Sequence, residues 1–376
     1  VQAVFRNIFI LCLFVTGLSG CGGGGSEPSP VDNNKDRQAI LQHWADDIII
    51  PSYSDFKIKF DAMVTKADAF TASPTITTLA EFRSAWSEAY SQWQNVEIFE
   101  FGPADRYTVR NFFNIYPADV AGIIANISNA SVNLDLPGEY SRQGFPALDY
   151  LLNGVATSDA DIIAYYTSSS DRTKRLDYIK KLITRMNSLI TTVISEWNGS
   201  YKDSFISKTG LDVSSSFGLV VNSYVLHYER YIRSGKFGIP SGATIAGAGV
   251  LHPEKVEAVY KKDISLTLAK NAHNAAVRFF SGTGTIDGPS FKSYLDALGA
   301  KDAGSGVLLS EIIQTQFAEI NSKLNALSPD LYNQVQTNNQ SMVDVYTSMQ
   351  KLVRILKVDM TSAMSVTITY TDNDGD

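Results

Sequence analysis

The chain has 376 residues, 44% of them hydrophobic, and a formal net charge of −7. With no Lys/Arg run and no basic residues interleaved with aromatics, that balance excludes nucleic acid as a partner. The two cysteines, Cys12 and Cys21, both fall in an N-terminal leader, so the folded region has no thiol for a disulfide, a thiolate zinc site, an iron–sulfur cluster or a Cys nucleophile.

Residues 1–21 read as a lipoprotein signal peptide. Arg6 precedes the apolar run Ile8–Val15, which is too short to span a bilayer, and Leu18-Ser19-Gly20 leads into Cys21. This predicts acylation of Cys21 and a membrane link through that lipid alone. Gly22 is not a retention residue, so the expected address is the cell envelope at the outer membrane. The Gly-rich stretch after Cys21 makes residues 22–35 a flexible tether.

Helical periodicity dominates the chain beyond the tether. A helix is predicted over about 36–71, kinked at Pro51 because the ring removes one hydrogen bond and clashes with the preceding turn. A second, about 78–96, carries Phe82, Trp86, Tyr90 and Trp93 on one face. Residues 97–116 are irregular, and 117–166 hold shorter pieces. The stripe from Leu176 to Trp197 predicts a long helix with Ser170 or Asp171 at its start and Gly199 at its end. Further helices are predicted over 211–234, over 253–280 with Pro253 in the first turn, over 307–327 and over 331–356. Val366–Tyr370 alternates like a strand. The tail Asp372–Asp376 opens like a calcium loop but lacks the later carboxylate, so it reads as solvated. The expected fold is all-α with little or no β structure, in two up-down four-helix bundles, 36–200 and 201–376.

The stretch QGFPALDYLL, residues 143–152, fits a helix start. Gly144 allows a tight entry, Pro146 suits the first turn, and Phe145, Leu148, Leu151 and Leu152 pack inward. Asp149 then faces the first turn or a polar interior.

Several separated motifs resemble the imelysin-like family of bacterial envelope proteins. They are the Pro51-Ser52-Tyr53 break; Trp86 with Glu97 eleven residues on; Phe99-Glu100-Phe101-Gly102; Asn114–Asp119; Gly144–Leu152; and Lys357-Val358-Asp359-Met360. The resemblance implies two similar four-helix bundles with a site at their interface and a role in iron acquisition. The family's GxHxxE motif stands here as Gly144, Pro146 and Asp149, so its imidazole is absent; Tyr90 stands where an Arg is often found, and Glu100 where another Arg would follow.

Hard ferric iron suits carboxylate and phenolate oxygens. Glu97, Glu100, Tyr116, Asp119 and Asp149 could converge as such donors, with Glu97 and Asp149 as the metal ligands and Gly144 and Phe145 beside them. The alternative is that the glutamates pair with Arg106, Arg110 or Arg142. Asn222, Glu229 and Arg233 share a helical face that could wall a pocket. There is no HExxH, and His43, His227, His252 and His273 are scattered. The expected function is therefore non-enzymatic binding of an iron-related ligand, with iron as the only candidate cofactor and iron-uptake proteins as partners. A purely protein-interacting component and a metallopeptidase are the alternatives.

Overall fold

In the computed structural model, residues 33–129, 131–168, 170–244 and 249–371 are described. The signal peptide, Cys21, nearly all of the tether and the acidic tail lie outside them.

The opening helix shows how a proline reshapes its neighbourhood. It runs from Asn34 to Ala72, beginning inside the span assigned to the tether, with a π-helical turn over Trp44–Ile49 just before Pro51. Pro51 has no N–H to offer the carbonyl of Asp47. That oxygen instead accepts the backbone N–H of Thr285 at 2.9 Å. The sequence-level kink is thus a local change of helical pitch that exports one hydrogen bond to a distant loop.

This helix serves two aromatic clusters. Near its start, Trp44 stacks on Phe279 (4.7 Å between ring centroids) and meets Phe291 edge-on. A few turns later, Phe56 and Phe60 pack with Trp93, Phe113 and Phe145. Each ring contributes roughly 1.5–3 kcal/mol on burial. From Asn34 onward the chain forms one compact unit.

Helices expected over 78–96, 171–199 and 307–327 occur as Ile76–Trp93, Arg172–Trp197 and Leu309–Asn325. Three expectations change. The helix assigned to 253–280 spans only Ser265–Ser281. Before it come a 3-10 turn, Pro253–Lys255, and irregular chain with positive φ at Ala258 and Lys262. The segment 331–356 divides at Asn338 into Leu331–Thr337 and Asn339–Arg354, because Gln334 Nε2 captures the Asn338 carbonyl at 2.8 Å. Val366–Tyr370 is extended but joins no sheet: its backbone is bonded by the side chain of Asn222, to Thr367 O at 3.0 Å and from Thr369 N at 2.8 Å. Among the described residues β structure is limited to the isolated bridge Lys301–Leu308, and no helix is long and apolar enough to cross a membrane.

Candidate functional site

Five separate pieces of chain bring polar side chains to one buried point. Gln94 caps the end of the Ile76–Trp93 helix, and Glu97 opens the short 3-10 turn Glu97–Phe99. Arg110 and Asn114 come from the Val109–Phe113 helix and its C-cap. His227, Tyr231 and Lys236 lie on the π-helix His227–Gly238, and Glu257 on the irregular chain before Ser265.

Glu97, Lys236 and Glu257 are each only 2% exposed. Lys236 forms a short ion pair with Glu257 and donates to Gln94 Oε1 at 2.8 Å. Gln94 in turn donates to Glu257 at 3.0 Å. The Asn114 amide bridges both carboxylates, donating to Glu257 at 2.8 Å and to Glu97 at 3.2 Å, while its oxygen accepts the Tyr90 hydroxyl at 2.6 Å. Burial raises the Glu97 carboxyl above its usual range, opposed by Lys236 and Arg110.

Arg110 closes one side. Its guanidinium donates to the Glu97 carbonyl at 2.8 Å, lies 3.7 Å from the Glu97 carboxylate, and stacks over the Tyr231 ring at 3.9 Å. Burial, then Arg110 and Lys236, hold His227 well below its usual pKa, so the imidazole is neutral. With Nδ1 facing the Arg110 guanidinium at 3.4 Å, the proton sits on Nε2, which has no hydrogen-bond partner among the described residues.

A cavity of about 370 Å³ borders this network, lined by Asn114, Tyr116, Arg230, Tyr231, Gly235 and Lys255. A side chain at Gly235 would place a Cβ 3.2 Å from the Tyr116 hydroxyl, so the glycine makes room for that phenol. Burial drives the Tyr116 pKa far above its usual value, so it presents an O–H and not a phenolate. The arrangement offers two cations and two phenols over a rigid polar floor, which suits an anionic ligand.

The expected residues separate into five groups. Glu97 and Tyr116 belong to the network and cavity, and Glu100 lies beside them. Glu100 accepts the Arg110 backbone N–H at 3.1 Å, and burial raises its carboxyl to about 7. Asp149 holds a different partner set: the backbone N–H groups of Tyr260 (2.9 Å) and Lys261 (3.0 Å) and the Asn153 amide (3.0 Å). It anchors the irregular chain that delivers Glu257. Gly144 has φ +77° and lies against the Phe113 carbonyl, while Phe145 is fully buried and stacks on Tyr90 at 4.6 Å. Asp119 caps the Val120–Ser128 helix through Gly122 and pairs with Arg142 at 2.8 Å. Asn222 and Glu229 hold the C-terminal segment, Glu229 through Tyr370 (2.6 Å) and Lys357 (2.9 Å), with buried Arg233 alongside at 3.8 Å.

The donor set does not fit a resident iron ion. Among the described residues no three or more His, Cys, Asp or Glu side chains are grouped to hold a metal. Glu97 and Asp149 accept from different protein donors.

Sequence reasoning passed over Gln94, Lys236, Glu257, Tyr231 and Lys255. The only local signal was a lysine set between glycines, Gly235-Lys236-Phe237-Gly238.

The Imelysin family model, which carries a peptidase designation, matches residues 49–358. Over 112 residues the chain is 29% identical to iron-regulated protein A of Synechococcus elongatus, a match that spans 30% of each chain. A protein from Parabacteroides distasonis, assigned as an iron-regulated protein A precursor, superposes with a TM-score of 0.67 at 19% identity, covering 90% of this chain and 97% of its own. An imelysin-like protein from Psychrobacter arcticum gives 0.59 at 18% identity, with 90% and 98% covered. Both structural likenesses show the all-α fold.

Proposed function

The chain belongs to the Imelysin family, and from that premise we propose that it binds an anionic iron chelate, without catalysing a reaction, in the cavity between Tyr116 and Tyr231. The family includes proteins named for iron regulation, which supports a role in iron-related processes. The matched region is under a third of the Synechococcus elongatus protein, so ligand and activity are proposals for this chain. In the same reading the lipid on Cys21 holds the protein at the outer membrane, where it passes its ligand to iron-uptake proteins.

One observation carries the choice of ligand. The cavity wall bears Arg230 and Lys255 beside two phenols. A bare cation would meet charge of its own sign there, whereas the carboxylates of a chelate would meet charge-assisted donors. The carboxylates below are already engaged by Asn114, Gln94 and Lys236, which suits a rigid floor better than a reacting group.

Calorimetry with ferric citrate, citrate alone and ferrous sulfate tests this. Ferric citrate is expected to bind best. Arg230→Glu with Lys255→Glu should weaken it by about 100-fold, the loss of two charge-assisted contacts of about 1.5 kcal/mol each. Equal binding by the double variant, or none by the wild type, would overturn the assignment.

A further inference from the structure

A second cavity, of about 320 Å³, sits where Pro51 interrupts the opening helix and shares no lining residue with the first. Its size falls at the lower end of the roughly 300–1,000 Å³ typical of small-molecule pockets. The walls are set without a ligand. Thr285 donates its N–H to the Asp47 carbonyl at 2.9 Å and its hydroxyl to the Asp47 carboxylate at 3.0 Å. Gly284 lies so close that an added Cβ would come within 2.4 Å of the Asp47 carbonyl oxygen. Asp47 also meets His43 at 3.0 Å. The loop wall is therefore pinned to the helix by the very carbonyl that Pro51 releases.

The charges of this cavity are incompletely matched from within. Arg278 reaches it from the last turn of the Ser265–Ser281 helix. Its guanidinium has five N–H donors. Among the described residues these make one hydrogen bond, to the Asn95 side-chain oxygen at 2.6 Å, and no ion pair. Asp55, on the opposite helix, likewise has no ion-pair partner among the described residues. Ser52 and Thr285 add hydroxyls to the lining. A pocket with an unmatched guanidinium and an unmatched carboxylate is complementary to a ligand bearing both an anion and a cation.

We propose that this cavity binds a small zwitterion, an α-amino acid or dipeptide, with its carboxylate on Arg278 and its ammonium on Asp55 and the Asp47 edge. The bidentate geometry of guanidinium and carboxylate sets one end of the ligand. A volume of about 320 Å³ suits a ligand of that size. This site is independent of the chelate cavity, and each can fail alone.

The test is calorimetry on the full chain with glycylglycine and L-glutamine, and with two glycylglycine derivatives that each lack one charge, the N-acetylated form and the C-terminal amide. Both zwitterions are expected to bind, and each capped derivative to bind at least about tenfold more weakly. In Arg278→Gln the penalty for amidation should vanish, and in Asp55→Asn the penalty for acetylation. Both positions are exposed, and an unchanged thermal midpoint will show that each variant folds. Absence of binding by wild type at millimolar zwitterion, or variants that keep both penalties, would overturn the proposal.

Discussion

Lys236 and Glu257 face one another at 2% exposure each, one from a π-helix and the other from irregular chain. Removing one member leaves the other charged and buried, which costs about 3–5 kcal/mol. Lys236→Met is expected to lower stability by that order in denaturant unfolding. Lys236→Met combined with Glu257→Leu should recover part of the loss, and a double variant that loses the full sum of the two single changes would contradict the pairing. Gly144 is constrained differently. Its φ of +77° and a would-be Cβ 2.3 Å from the Phe113 carbonyl leave no space for a side chain. Gly144→Ala should lose at least about 1–2 kcal/mol from the left-handed backbone alone, read as a lower urea midpoint. The role of this glycine as a tight helix entry was legible in the sequence, but its contact with Phe113 was not.

Asp149 carries a pH dependence with a definite sign. Burial raises its carboxyl to about 7, against three hydrogen bonds that favour the ionised form. In the unfolded chain it titrates near 3.9. The folded state therefore keeps a proton that the unfolded state releases. This contribution is full below about pH 4, declines as pH rises and is gone above about pH 7. His227 and His273, buried and neutral, tilt stability the opposite way. The informative quantity is thus the stability difference between wild type and Asp149→Asn, which should shrink as pH rises from about 4.5 to about 7.5. A difference that grows over that window would show that hydrogen bonding, not burial, governs the group.

At the scale of elements, the helices whose apolar stripe is unbroken were legible from periodicity, as in Arg172–Trp197 and Leu309–Asn325. The helix assigned to 253–280 was not, because its first part is drawn out of helical geometry by Asp149, more than a hundred residues away. The apparent strand 366–370 failed for a related reason: its alternation is real, but the Thr367 carbonyl and the Thr369 N–H are bonded by one side chain, that of Asn222, and not by a neighbouring strand. Asn222→Ala is therefore expected to release that segment at a cost of about 1–3 kcal/mol. Amide hydrogen exchange at Thr369 should accelerate while the Ser265–Ser281 helix stays protected. Equal protection of Thr369 in the variant would remove Asn222 from this role.

At the scale of the molecule, the opening helix contributes Trp44 to one aromatic cluster and Phe56 and Phe60 to another, and the polar network joins Gln94 to Lys236 and Glu257. A chain cut after residue 200 would leave Trp44 exposed and Asn114 without Glu257. Neither fragment is expected to unfold cooperatively, whereas the intact chain should show one transition by circular dichroism and by tryptophan fluorescence. Two well-separated transitions in the intact chain would contradict this.

By itself the sequence determined the helical class, the inward packing of the Gly144–Leu152 stretch and the likeness to the imelysin-like family. Those rest on local period, turn chemistry and motif order, which need no knowledge of distant neighbours. Only the tertiary structure decided which polar groups meet. Gln94 finds partners 142 and 163 residues away, and Asp149, expected beside Glu97, instead secures the chain that carries Glu257. A buried charge chooses its partner by proximity in space, and along the chain that proximity leaves no period to read.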